Sequence, residues 1–132
     1  MINPFQQPGA FSWCELMTTD LKGAEAFYAQ LFGWTMADGP VDGIEYRVIS
    51  AGGQGIGGLM SIPPDMQQMP PNWGTYVTVE DVDATAQLAQ DLGGRVLMPP
   101  QDIPTVGRFT LIQDPQGAVI SAISYLPPPT AA

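Results

Sequence analysis

The 132-residue chain contains no histidine. That removes the commonest general base near neutral pH and the commonest side-chain ligand of transition metals. Cysteine occurs once, at Cys14, so no internal disulfide can form. Positive charge is almost as scarce. Lys22, Arg47, Arg95 and Arg108 stand against thirteen carboxylates, for a net charge of −9. A chain this acidic repels phosphate backbones, so no nucleic acid is expected as a partner. No apolar run approaches the ~20 residues of a membrane span, and the first residues lack the basic start and apolar stretch of a secretory leader. No membrane contact and a cytoplasmic location are the expectations. What is plentiful is apolar side chain: hydrophobic residues make up 45% and charged residues 13%. One domain with a single sizeable core follows from that length and balance.

Residues 1–10 carry Pro4, Pro8 and Gly9 and read as an extended arm. Phe11 to Met17 is short, apolar and aromatic, a strand in which Trp13, Glu15 and Met17 share one face and Ser12, Cys14 and Leu16 the other. Thr19 or Asp20 offers an N-cap for a helix over 21–32, with Leu21, Ala24, Phe27, Tyr28 and Leu31 as its buried stripe and Gly33 as its stop. Strands are expected over 34–36, 44–50 and the end of the glycine-rich run 52–60. Residues 61–72 hold four prolines and read as a linker between two halves of one domain. A strand over 73–80, a helix capped by Asp81 and ending at Gly93-Gly94, and a strand over 95–98 broken by Pro99-Pro100 come next. The second half closes on a hairpin, 108–112 and 118–123, around the turn Asp114-Pro115-Gln116-Gly117.

A repeat emerges at an offset of 61 residues. Asp20 meets Asp81, Phe27 meets Leu88, Leu31 meets Leu92, Gly33 meets Gly94 and Arg47 meets Arg108. Cap, stripe, helix stop and strand starts coincide. The fold class is therefore α+β: two βαβββ repeats, about 11–60 and 73–125, joined by the 61–72 linker into one curved-sheet domain. A helix closes one sheet face of each repeat, and the other face forms a concave cleft suited to a small molecule.

In order and spacing, several stretches resemble the vicinal oxygen chelate superfamily, which includes glyoxalase I, bleomycin-resistance proteins and extradiol dioxygenases. They are Asp20 with Phe27-Tyr28 and Leu31-Phe32-Gly33-Trp34, then Val79-Glu80-Asp81-Val82-Asp83 with Leu92-Gly93-Gly94, then Asp114-Pro115-Gln116-Gly117. Residues 102–117 look like a bacterial glyoxalase-like subgroup. The resemblance implies homodimers. Metal-dependent members place His, Gln or Glu at four positions, which here correspond to Trp13, Gly74, Ser121 and a residue within 58–60. None of these suits Zn, Ni, Fe or Mn, so no metal and no cofactor are expected.

The candidate site residues each carry two readings. Trp13 and Trp73 flank the place where a metal would sit, as core or as an aromatic wall for a planar ligand. Glu15 lies mid-strand among apolar neighbours, and a carboxylate there is either cement for an ion pair or a cleft acid/base. Arg47 and Arg108 pair with the abundant carboxylates or clamp a ligand carboxylate. Tyr46 and Tyr76 are core or cleft-lining hydroxyls, and Ser121 lies at the last-strand position of the site. Gly57-Gly58 marks a bulge or a close backbone approach. Cys14 is expected to be a buried thiol facing the helix. The expected function is metal-independent binding of a small organic ligand. The alternatives are a lyase, isomerase or oxygenase with Glu15 as acid/base, and an interaction protein whose cleft is filled by Trp13 and Trp73.

Overall fold

The computed structural model describes residues 3–39, 45–66 and 68–126. The elements, in chain order, are β1 (Phe11–Thr18), α1 (Leu21–Phe32), β2 (Thr35–Asp38), β3 (Tyr46–Ala51), β4 (Gln54–Ser61), a 3-10 turn (Pro64–Met66), β5 (Asn72–Thr78), α2 (Val82–Asp91), β6 (Arg95–Ile103), β7 (Gly107–Gln113) and β8 (Val119–Tyr125). The class is α+β, and the order βαβββ occurs twice. The chain divides into two compact units, Trp13–Gly74, and Met1–Ser12 with Thr75–Ala132.

In the unit Trp13–Gly74 the strand order is β2-β3-β4-β1, with β1 parallel to β4 and the other pairs antiparallel. Asp20 is the N-cap of α1, its carboxylate accepting from the Gly23 N–H at 2.9 Å. Gly33 ends the helix at φ 73°, a conformation open to glycine. Leu16 pairs with Leu59 across the ladder, and these two pack with Ile49 and Leu21 into the core beneath α1. Ala24, Tyr28, Trp34 and Met36 complete its edge. Because side chains alternate along a strand, Leu16 on the helix side sends Trp13, Glu15 and Met17 to the opposite face.

Two expectations for this unit fail. Phe27 and Leu31 are 58% and 56% exposed, so the buried stripe of α1 is narrower than its periodicity suggests. Cys14 is exposed, not a buried thiol. It points to the helix side, but it lies outside the Leu16-Leu21-Ile49-Leu59 core, two residues before Leu16 along β1.

In the other unit the order is β5-β8-β7-β6, with β5 parallel to β8. Asp81 caps α2 by accepting from the Ala84 N–H at 3.0 Å. Val82, Ala86, Thr110 and Ala122 are buried here. The turn 113–117 forms as expected: Asp114 Oδ1 accepts from Gln116 N and Ala118 N, and Gly117 takes φ 103°. Pro99-Pro100 does not break β6, which runs from Arg95 to Ile103. β6 is the terminal strand of this order, and its register shifts twice, between Val96 and Met98 and between Met98 and Gln101. Proline, lacking a donor, is tolerated at such an edge and at bulges. Gly9 N–H to Thr78 O and Thr78 N–H to Ala10 O bind the N-terminal arm to β5.

Candidate functional site

The face of the Trp13–Gly74 strands away from α1 carries an ordered polar chain among apolar neighbours. Trp13 Nε1–H donates to Tyr46 Oη at 2.8 Å, and Tyr46 O–H donates to Glu15 Oε2 at 2.7 Å. Glu15 is 7% exposed. An indole can only donate, so it occupies a lone pair of the phenol, and the single phenolic proton turns to the carboxylate. This hydrogen bond holds Glu15 in a fixed orientation.

The strand register explains how Tyr46 reaches Glu15 across β4. Glu15 pairs with Gly58, and Tyr46 pairs with Met60 two residues further on. The Tyr46 head lies directly over Gly58: a Cβ on Gly58 would sit 1.9 Å from its Oη and 2.2 Å from its Cζ. Only glycine leaves that slot. Gly57 serves a different need, since a Cβ there would come within 2.5 Å of the Cys14 carbonyl oxygen. Val48 lies on the Tyr46 face of the sheet; a Cβ built on Gly55 would be 3.5 Å from Val48 and 3.8 Å from the Trp13 ring.

Trp73 does not share this face. Its Nε1–H donates to Tyr28 Oη at 3.2 Å, and its ring meets those of Tyr28 and Trp34 edge-on, on the α1 side. The two tryptophans therefore form no common wall. Alternation from Gly74 and Tyr76 already carries this result, because Trp73 is one residue out of step with them.

Arg47, next to Tyr46 along the strand, also projects to the α1 side. It reaches Glu25 of α1 at 2.9 Å and pairs with Asp38 of β2. Arg108 bonds both oxygens of Asp83 of α2, at 2.8 and 2.9 Å, and Asp102 at 3.0 Å. Those bonds raise both guanidinium groups above their ordinary value, through Glu25 foremost for Arg47 and Asp83 foremost for Arg108. They also hold the Asp83 carboxyl below its ordinary range. Of the two readings of the arginines, the carboxylate pairs are what the structure contains.

In the second unit, Tyr76 and Ser121 pair across the β5–β8 ladder and are buried, and the Tyr76 ring lies 6.4 Å from that of Phe109. The matched ladders also fix the counterpart of Ser121. Glu15 and Tyr76 are 61 residues apart, so the residue opposite Glu15, Gly58, corresponds to Ser121. The family resemblance implies metal positions at Trp13, Gly74, Ser121 and, by this register, Gly58, whose slot is filled by the Tyr46 phenol. This donor set does not fit a transition metal. Among the described residues, no group of three or more His, Cys, Asp or Glu side chains could hold one. A separate hollow of about 610 Å³ in the second unit is lined by Phe5, Pro8, Thr78, Glu80, Val106 and Tyr125 among others, and contains none of the expected site residues. Among the described residues, no helix is long and apolar enough to cross a membrane.

Several known proteins are similar to this chain. "Putative glyoxylase CFP32" of Mycobacterium tuberculosis is 40% identical over 115 residues, covering 85% of this chain and 44% of that protein. "Anthracycline biosynthesis protein DnrV" of Streptomyces peucetius is 30% identical over 129 residues, covering 86% and 46%. The chain thus spans less than half the length of the curated relatives it matches. Among solved structures, the methylmalonyl-CoA epimerase of Mycobacterium tuberculosis has a TM-score of 0.66 at 18% identity, covering 90% of this chain and 89% of that one. The hypothetical protein BH1468 of Bacillus halodurans has a TM-score of 0.69 at 12% identity, covering 95% and 100%. At these identities the structural likeness speaks for the fold alone. Residues 10–121 match the Glyoxalase/Bleomycin resistance protein/Dioxygenase superfamily, and the chain belongs to it.

Proposed function

We propose that this chain is a metal-independent binding protein for a small planar organic molecule, held on the strand face of Trp13, Glu15 and Tyr46. The observation that carries the reading is the chain of hydrogen bonds ending on a buried carboxylate. Burying a carboxylate is costly, and polar groups placed in this way within apolar surroundings are how ligand sites fix orientation. Trp13 supplies a flat apolar surface, while Met17, Val48 and Met60 supply adaptable apolar area. The name of the Streptomyces relative points the same way, because anthracyclines are planar, hydroxylated ring systems.

The test is calorimetric titration of the protein with two planar probes, 2-(hydroxymethyl)anthraquinone and anthraquinone-2-carboxylate, with and without EDTA. Saturable binding of at least one probe, unchanged by EDTA and weakened at least about tenfold by Trp13→Ala, is expected, since aromatic anchors dominate such sites. If neither probe binds, the reading fails. If EDTA abolishes binding, its metal independence fails.

A second reading makes the same site enzymatic, a lyase, isomerase or oxygenase step with Glu15 as acid/base. The delivery of the Tyr46 proton to Glu15 favours it, since a phenol–carboxylate pair can move a proton. Deuterium wash-in to acetylacetone, followed by NMR and abolished in Glu15→Gln, is its expected signature. Equal exchange in the two proteins would remove it.

A further inference from the structure

We infer that the hollow in the second unit is a binding site of its own, for a small organic cation with an apolar body. None of Trp13, Glu15 and Tyr46 lines it, so it does not depend on the function proposed above.

Its volume, about 610 Å³, is that of a small-molecule site. Its walls are chain segments locked to their neighbours. The N-terminal arm is fixed to β5 around the buried Thr78. The Thr78 O–H donates to the Pro4 carbonyl at 2.6 Å, and the Thr78 carbonyl accepts from the Gly9 N–H at 2.8 Å. The Phe5 N–H donates to Asn3 Oδ1 at 3.0 Å, so Phe5 sits in a braced turn and not on a loose end. Val106 is pinned at both backbone groups. Its N–H donates to the Ile103 carbonyl at 3.0 Å, and its own carbonyl accepts from the Leu126 N–H at 2.8 Å. Before it, Thr105 takes φ 65°, a costly conformation for a β-branched residue. Backbone strain of this kind persists where the surroundings enforce it, and it gathers at ligand sites.

The chemistry of the lining names the ligand class. Phe5 and Tyr125 both line the hollow, with ring centroids 5.0 Å apart and planes at 83°. Two rings at a right angle form a corner in which a cation meets aromatic surface twice, the arrangement that suits quaternary ammonium groups. A hydrogen bond of 2.7 Å between the Tyr125 and Ser12 hydroxyls fixes the second ring. Among the lining residues Glu80 is the only acidic or basic one apart from the Tyr125 phenol. Glu80 is exposed and takes part in none of the ion pairs among the described residues. Lys22, Arg47, Arg95 and Arg108 are all absent from the lining. A positive charge entering the hollow meets a carboxylate and aromatic rings, whereas an anion meets no cation.

Three probes share a phenyl ring and differ in charge: benzyltrimethylammonium, benzyl alcohol and benzenesulfonate. Each is titrated into the intact, isotopically labelled chain at neutral pH, and backbone amide shifts are followed by NMR. The cation should shift the amides of Phe5, Glu80, Val106 and Ser124 saturably, and bind at least about tenfold more tightly than the alcohol or the sulfonate. Glu80→Gln removes the charge and keeps the shape, and should weaken the cation at least about threefold while leaving the alcohol unchanged. Phe5→Leu removes the ring and keeps apolar bulk, and should act on the cation to a similar extent. Both residues are exposed, so amide shifts elsewhere in the chain should stay in place. Alcohol or sulfonate binding as tightly as the cation overturns the inference. So do cation-induced shifts that fall on Trp13, Glu15 and Tyr46 in place of the four amides. Cation affinity indifferent to both substitutions overturns it too, since that is the mark of diffuse attraction to an acidic chain.

Discussion

Glu15 shows how far one residue can be read from its neighbours in the chain. A carboxylate in the apolar run FSWCELM had to be partnered, and its shared face with Trp13 followed from alternation. The identity of the partner did not follow. Tyr46 is 31 residues away and reaches Glu15 diagonally over a glycine on an intervening strand, a relation set by register that no local pattern encodes. The two glycines on that strand make the distinction testable. Gly57→Ala drives a Cβ against the Cys14 backbone carbonyl, which cannot swing aside, so a loss of about 1–3 kcal/mol is expected whatever residue stands at 46. Gly58→Ala meets only the Tyr46 side chain, and its cost should largely vanish beside Tyr46→Ala. Urea denaturation of these variants reads both outcomes; equal costs for Gly58→Ala in the two backgrounds would contradict the slot.

At the scale of elements, caps and stops were the most legible signals, because they are local chemistry. Asp20, Asp81, Gly33 and the turn 113–117 do what their residue types require. The strand over the two prolines was not legible, since tolerance there depends on β6 being terminal in its order and bulged. Each helix is also tied to its own strands by one arginine, Arg47 to Glu25 of α1 and Arg108 to Asp83 of α2. The second tie has a pH signature. The hydrogen bonds from Arg108 hold the folded Asp83 carboxyl below its ordinary 3.8. A depressed carboxyl stabilises the fold above that ordinary value, and its contribution disappears as pH falls through the lower folded value. Asp83→Asn should therefore lower the melting temperature at pH 5 by a small amount, as suits an exposed pair. The gap should close as pH falls below about 4, through the lowered folded value. A gap unchanged across that range would show that Asp83 acts other than through its charge.

For the molecule as a whole, the repeat was readable because two copies of one pattern reinforce each other, while the surfaces left over were not. The helix periodicity assigned Phe27 and Leu31 to the core, yet they are exposed, with Phe32 58% exposed beside them. Their counterparts at the repeat offset, Leu88 and Leu92, are exposed as well, at 54% and 70%. Recurrence of the same apolar positions on both helices is unlike the isolated apolar residues common on any surface. We propose that the α1 surface is where a second copy of the chain packs, giving the homodimer the family resemblance implies. The matched relatives are more than twice as long as the segment they share with this chain, which leaves length for another domain of this size in one polypeptide. Phe27 and Leu31, four residues apart, are neighbours on one side of α1. Sedimentation equilibrium at micromolar protein should find a dimer for the wild type and a monomer for Phe27→Glu/Leu31→Glu. Both residues are exposed and outside the Leu16-Leu21-Ile49-Leu59 core, so the variant should retain its helix and strand signature by circular dichroism. A wild-type monomer would refute association, and a dimer unaffected by the two glutamates would move it to another surface.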